Sequence, residues 1–430
     1  MSLNNMSAVI SDTQAKGVEW DKHDTVWMLG LYGTAIGAGT LFLPINAGLN
    51  GIWPLIIMTL VAFPMTYYSH KALCRFVLSG TSKGDITEVV DEHFGSIAGN
   101  IITWLYFFAI YPILLMYSVA ITNTTESFLV NQLNITPPPR AVLAICLLLG
   151  LMMIVRFGQQ LIVKSMSVLV YPFVCILMVL SLYLIPYWNM SIFLHQDVVQ
   201  TPNSGHGLLM TLWLIVPVMV FSFNHSPIIS SFAVSQKQRF GNDADQKCSA
   251  ILKYSHILMV ATVMFFVFSC VFSLSPEDLL QAKHQNISIL SYLANHFHTP
   301  VIAYIAPLVA FIAIAKSFFG HYLGAKEGLH GLIVKSLRAR NKTVSNHHIH
   351  RLIEIFIIAS CAIVATINPS ILDMIEVLGG PVIAIILFLM PMYAIARVPA
   401  MRKFRNNKSN LFVWFIGIVA ISAIFYGLIK

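Results

Sequence analysis

Long uncharged apolar stretches alternate with short polar ones along the whole chain. Apolar runs occupy residues 25–48, 52–77, 97–129, 140–157, 164–187, 207–234, 249–274, 300–324, 351–367, 377–396 and 411–429, each bounded by polar residues or by Pro and Gly. A helix crosses the hydrocarbon of a bilayer in about 20 residues, so the pattern predicts an all-α polytopic membrane protein with about 11 transmembrane helices. No polar segment between the runs exceeds about 30 residues, too short for an independent soluble core.

Two connections carry helical periodicity of their own. DITEVVDEHFG (85–95) opens with the capping pair Asp85 and Glu88 and sets Ile86, Val89, Val90 and Phe94 on one face. NISILSYLANHF (286–297) does the same with Ile287, Leu290, Leu293 and Phe297, on the opposite side of the membrane. Either segment is read as lying on the bilayer or as part of a gate.

Within this pattern two runs contradict themselves. Residues 25–47 hold no charge, yet their middle, GTAIGAG (33–39), is three-sevenths glycine, and glycine is among the weakest helix formers. The sixth run contains SFNHSP (222–227), where Pro227 lacks an N–H and clashes with the preceding turn, so a helix should open just before it. The sequence thus predicts a first span broken at 33–39 and a sixth broken at 221–227. The second break lies five spans on from the first, and an odd offset places the second half upside down relative to the first. Paired interruptions of this kind point to an inverted repeat with a site between its broken helices. On this reading residues 25–187 form the first repeat, 207–396 the inverted second repeat, 411–430 an extra span, and 1–24 a cytoplasmic tail.

A helix break frees N–H groups at the start of its second half and C=O groups at the end of its first. An amino acid zwitterion needs both. The carboxylate is expected at the amides of Gly37, Ala38, Gly39 and Thr40, and the ammonium at carbonyls near Thr34, Ala35 and the Phe221, Ser222, Phe223 stretch, with Asn224 beside it. Read alone, the glycines could equally serve close helix packing; the second break tips the balance toward a binding site.

Composition agrees with the membrane assignment. Of the residues, 57% are hydrophobic and 10% charged, against about 25% charged in soluble domains. The 26 Lys and Arg explain the net charge of +8 once sorted by side. With a cytoplasmic N-terminus, only Arg140, Lys283 and Lys430 fall outside and Lys316 lies within a span. The basic excess is then topogenic, the C-terminus is periplasmic, and no nucleic-acid partner is implied. All six cysteines lie in or next to apolar runs without CxxC spacing, which argues against disulfides and zinc.

Ionisable residues at depth complete the candidate chemistry. Lys164 and Lys316 are costly in a bilayer unless paired or neutral, so either is a candidate proton acceptor, and a resident cation disfavours sodium. Snorkelling to the headgroups is the alternative reading for Lys164. Ser317 neighbours Lys316, and His225 and His321 offer proton relays or simply buried hydrogen bonds. The cluster His347, His348, His350 lacks carboxylate or thiol partners at ligand spacing, so no metal is expected. Along the third span, Tyr111, Tyr117, Ser118 and Asn123 offer polar contacts to substrate or to a neighbouring helix. No nucleophile–base pair or paired carboxylates suggest an enzyme.

The stretches TVWMLGLYGTAIGAGTLFLPINAG, LYFFAIYPILLMYSVAITNT, MVFSFNHSPIISSFAVS, ILSYLANHF, AKSFFGHYLGAKEG and NPSILDMIEVLGGP together resemble the bacterial hydroxy and aromatic amino acid permeases, within the amino acid/polyamine/organocation superfamily. The resemblance runs from Trp27 to Tyr426 and is nearest to the serine-transporting branch. It implies a LeuT-like five-plus-five inverted repeat in the inner membrane and import of L-serine, with L-threonine as a second substrate, by proton symport. It also implies a substrate site at the two breaks, and makes Lys164 a match for the fifth-span lysine that replaces sodium in some proton-coupled members. The expected partners are L-serine, a proton and membrane lipid, with no cofactor and no obligate protein partner. A sodium-coupled or aromatic-substrate permease and a non-transporting amino acid sensor are the rival readings.

Overall fold

The computed structural model describes residues 19–81, 84–155, 159–189, 207–297, 299–342 and 345–429; most of the expected N-terminal tail and Lys430 lie outside them. Among the described residues there is no strand. The first run becomes two helices, α1 (Lys22–Ala35) and α2 (Ala38–Leu49), bent by 51° at the residues between them. A capping box starts α1, with the Asp21 and Asp24 carboxylates each accepting the other's backbone N–H at 3.0 Å. The chain leaves the helix at Ile36, which is extended, and re-enters it after Gly37.

After α3 (Ile52–Leu78), the long α4 (Ile86–Asn131) is two helices joined at Gly95, whose φ of 78° only glycine adopts freely. Its first turns, capped by Asp85, precede the kink, and the membrane-length part follows it. α5 (Arg140–Val155) and α6 (Gln159–Tyr183) complete the first half of the chain.

The sixth run is again two helices, α7 (Leu208–Ser222) and α8 (Ser226–Phe240). Pro227 sits in the first turn of α8, where its missing N–H costs nothing. A 3₁₀ turn leads into α9 (Ala244–Ser273), followed by two short helices, α10 (Pro276–His284) and α11 (Ile289–His296). The latter takes up the second amphipathic connection. Then come α12 (Pro300–Ala339), α13 (Asn346–Ile367), a helical run α14 over 371–397 with π-helical turns at Ile375–Gly379 and Ile385–Leu389, and α15 (Ser409–Ile429).

Among the described residues seven helices are long and apolar enough to cross a membrane, eight when α1 and α2 count as one bent span. Large apolar side chains such as Leu60, Ile97, Leu209 and Leu411 point outward, 75 to 83% exposed. In water that surface would be unstable; in lipid it costs nothing. The chain is therefore a multi-pass membrane protein.

α12 packs along α4 and also meets α1, α6 and α8. Its glycines make the approach close. A Cβ on Gly320 would come within 2.5 Å of the Thr34 side chain, and one on Gly324 within 2.7 Å of Pro227 and 2.9 Å of Ile110. Both interrupted helices are thereby held against one face of α12.

Candidate functional site

The two interruptions touch. A Cβ on Gly39 would lie 2.8 Å from the Phe221 ring and 2.9 Å from Ser222 Cα, so α2 and α7 meet nearly backbone to backbone. The Ser222 hydroxyl donates to Gly39 O at 3.1 Å. Gly37 is wedged against the Ser317 side chain and Tyr117, where any Cβ would overlap. Thr34, Ala35, Ala38, Thr40, Phe221, Ser222, Phe223 and Asn224 are all buried around this junction.

The breaks differ in what they leave free. The first turn of α8 has its amides engaged: Ser226 N donates to Asn224 Oδ1 at 3.0 Å, Pro227 has no N–H, and Ile228 N donates to His225 O at 3.2 Å. The start of α2 has no side-chain cap, so the amides of its first turn, at Ala38, Gly39 and Thr40, have no intrahelical acceptor. Thr40 turns its hydroxyl back to Gly37 O at 2.9 Å. An anion would therefore find its donors at α2 and not at α8. On the acceptor side, Thr34 O takes the Ser317 hydroxyl at 2.5 Å, Phe221 O takes Asn224 N at 3.1 Å, and Phe223 O takes His225 Nδ1–H at 3.2 Å. Each carbonyl keeps a second lone pair for an ammonium. Asn224 Nδ2 is buried without a partner among the described residues, one further donor beside the junction.

α12 lines the other side. Lys316 is fully buried, its Nζ 3.8 Å from the centre of the Phe173 ring and without a hydrogen-bond partner among the described residues. One turn on, His321 donates from Nδ1 to Ser317 O at 2.9 Å and packs edge-on against Tyr117. Lys316, Ser317 and His321 thus adjoin the first break, and His225 lies in the second. Lys164 is apart, exposed on α6.

Two residues absent from the sequence reading join His225. The His70 and His225 rings stack with centroids 3.7 Å apart and planes 7° from parallel, and His256 packs 4.7 Å from His225. Both newcomers follow a Tyr-Ser, in YYSHK and KYSHI. Their basic neighbours make them look like headgroup-facing flanks, whereas both are buried. The doubled Tyr-Ser-His was the available signal.

Beyond the junction the N-terminal segment is latched. Asp24 and Lys247 pair at 2.6 Å with 0% and 4% of their side chains exposed, and Asp21 pairs with Arg239. Partial burial works to raise the Asp21 carboxyl, but the Arg239 guanidinium and the Asp24 amide outweigh it and hold the group below its ordinary range.

Broken helices that meet at a buried, partly uncapped junction inside a bundle define a transporter of the broken-helix class. The fold agrees: the structure of MhsT in complex with L-phenylalanine superposes with a TM-score of 0.65 at 13% identity, covering 95% of this chain and 98% of that one, which is the LeuT-like architecture. The chain belongs to the tryptophan/tyrosine permease family, whose pattern it matches over residues 26–429. Among its relatives, the serine transporter SdaC of Escherichia coli K12 is 64% identical over 410 residues, 95% of this chain and 96% of that protein. The threonine/serine transporter TdcC of Yersinia enterocolitica is 49% identical over the full length of both. This is a family of permeases, and the chain is a transporter and not an enzyme.

Proposed function

We propose that this protein imports L-serine, with L-threonine as a second substrate, by proton symport across a bacterial inner membrane. The observation that carries the reading is the contact of two interrupted helices, one with an uncapped N-terminus, in a chain 64% identical to a serine transporter. The zwitterion's carboxylate sits on the amides of Gly37, Ala38, Gly39 and Thr40, and its ammonium on carbonyls from Thr34, Ala35, Phe221, Ser222 and Phe223, with Asn224 beside it. Lys316, Ser317, His225 and His321 carry coupling; Lys164, exposed here, keeps at most a conformation-dependent part in it.

A small substrate suits the junction better than an aromatic one. The Phe221 ring is wedged between Gly39 and Gly379, where an added Cβ would come within 2.8 and 2.6 Å of it. The filling of the junction by a protein aromatic is what supports a small substrate. The proposed topology is eleven spans with a cytoplasmic N-terminus and periplasmic C-terminus, as two inverted repeats over 25–187 and 207–396 followed by an extra span. Rocking the broken helices against the rest of the bundle alternates access.

Counterflow tests the substrate and the transport together. Proteoliposomes preloaded with serine should take up labelled serine, with competition by threonine and little by tryptophan. Binding without counterflow would make the protein a sensor, and tryptophan dominance would make it an aromatic permease.

A further inference from the structure

Three imidazoles meet at the second break, two from neighbouring helices and one from the break itself: His70 of α3, His256 of α9, and His225 between α7 and α8. One nitrogen of each lies within 4.8 Å of one nitrogen of each of the others, and all three rings are buried. The hydrogen bonds fix their tautomers. His225 N–H points at His70 Nε2 at 3.2 Å, and an amide only donates, so that nitrogen is an acceptor and the His70 proton is on Nδ1. There it donates to Thr66 O at 2.7 Å. A carbonyl only accepts, so His225 Nδ1 donates to Phe223 O at 3.2 Å and His256 Nδ1 donates to Leu252 O at 2.6 Å.

What remains is two buried lone pairs without a donor among the described residues, on Nε2 of His225 and Nε2 of His256. Buried acceptors of this kind are rare and costly. One added proton removes one of these lone pairs, and with ring nitrogens of the three lying within 4.8 Å of one another a small side-chain shift lets the other accept from it. A chelated metal fits less well. His70 Nε2 is already engaged by an amide, and the in-plane lone pairs of two stacked, near-parallel rings lie in separate planes and cannot both aim at one ion.

We propose that the pair His225 and His256, oriented by His70, takes up one proton on an Nε2 atom, and that this cluster is where proton binding is coupled to substrate binding. The inference rests on the proton-symport reading above. It differs from that reading in assigning the proton to a three-histidine site in which His225 is one member.

The groups around the cluster bear on its charge. Tyr67 of α3 packs edge-on to His256 at 6.0 Å. His321 of α12 lies within electrostatic range of His225. Among the described residues none of the three rings pairs with a carboxylate. The compensating anion is therefore the substrate's own carboxylate in the adjoining break, to which the chain connects through Ser222 and its bond to Gly39 O. Proton and serine then favour each other's binding by one and the same factor.

Calorimetry of serine binding to the detergent-solubilised full chain, in buffers of different ionisation enthalpy, counts the protons taken up. The wild type should take up about one proton per serine over the range in which imidazole titrates. His256→Gln should take up close to none, with serine affinity about tenfold weaker and no longer dependent on pH. An unchanged proton count in His256→Gln overturns the inference. So does stoichiometric zinc or another transition metal in the purified wild type that is lost in the variant. If the variant binds no serine at all, ¹⁵N-histidine spectra of the wild type decide. Serine addition should convert an Nε2 resonance from lone-pair to protonated type, and a spectrum showing no such conversion overturns the proposal. The two readings fail differently: a wild type that takes up no proton and accumulates serine only with sodium removes proton symport itself. A proton-coupled wild type whose count survives His256→Gln but not Lys316→Met removes only the three-histidine site.

Discussion

The Ser222 hydroxyl reaches across 183 residues of sequence to donate to Gly39 O at 3.1 Å, joining the end of α7 to the start of α2. Both ends are interrupted helices, so the bond ties together the places where backbone groups are freed from helical pairing. It exists because residue 39 has no side chain. Gly39→Ala should push the Phe221 ring and Ser222 apart, an overpacking of about 1–3 kcal/mol, and lower serine uptake more than it lowers the amount of inserted protein. Uptake per inserted molecule, measured against the wild type, checks this.

Gly37→Val is the stronger test of the first break. Any Cβ there overlaps the Ser317 side chain and approaches Tyr117 to 2.9 Å, and a valine also disrupts the bond from Ser317 to Thr34 O. Insertion should persist while serine uptake and counterflow are lost. Normal counterflow in this variant would reduce GTAIGAG to a packing motif.

Lys316 and Ser317 should separate coupling from architecture. Ser317→Ala removes one hydrogen bond, worth about 1 kcal/mol, and should weaken serine binding modestly. Lys316→Met removes a buried amine whose described contact is the Phe173 ring. That change should spare counterflow and abolish accumulation driven by a pH gradient. Loss of both activities would assign Lys316 to folding or binding instead.

The Asp24–Lys247 pair is a latch between the N-terminal end of α1 and the start of α9. Removing one partner leaves the other charge buried, at about 3–5 kcal/mol. Asp24→Asn should therefore lower the melting temperature of the purified protein more than the double variant Asp24→Asn with Lys247→Met. Equal effects would show that no pairing energy holds the segment in place.

Acid should loosen the connection carrying α10 and α11. Partial burial acts to raise the Asp278 carboxyl, but bonds from Ser275 N at 3.0 Å, the Ser275 hydroxyl at 2.8 Å and the Tyr292 hydroxyl at 2.8 Å outweigh it. The net shift is below the ordinary value of 3.8. A carboxyl lowered in the folded state contributes stability fully above its unfolded value, and that contribution is lost as pH falls through the folded one. Hydrogen-exchange protection factors over residues 276–296 should fall below about pH 4 and be level above it; Asp278→Asn should show the lower protection at every pH.

How much of this was legible in the sequence depends on the range of the interaction. Apolar runs, Gly37 and Pro227 act locally, so helical content and the family could be read from the chain. The tautomers of His70 and His256 depend on carbonyls and an amide brought together from two helices and the second break, and no spacing encodes that. Lys164 shows the converse: one charge in an apolar run looks the same whether its helix turns it inward or outward, and the structure exposes it. Lys316 and Lys164 become distinct only once packing against Phe173 is known.

Uptake of labelled serine into proteoliposomes, under an imposed inward pH gradient with and without sodium, tests the central claim most directly. Accumulation above equilibrium with the pH gradient alone, collapsed by a protonophore and unchanged by sodium, is the result expected of a proton symporter built on the two interrupted helices. Accumulation that follows a sodium gradient and ignores pH would contradict it.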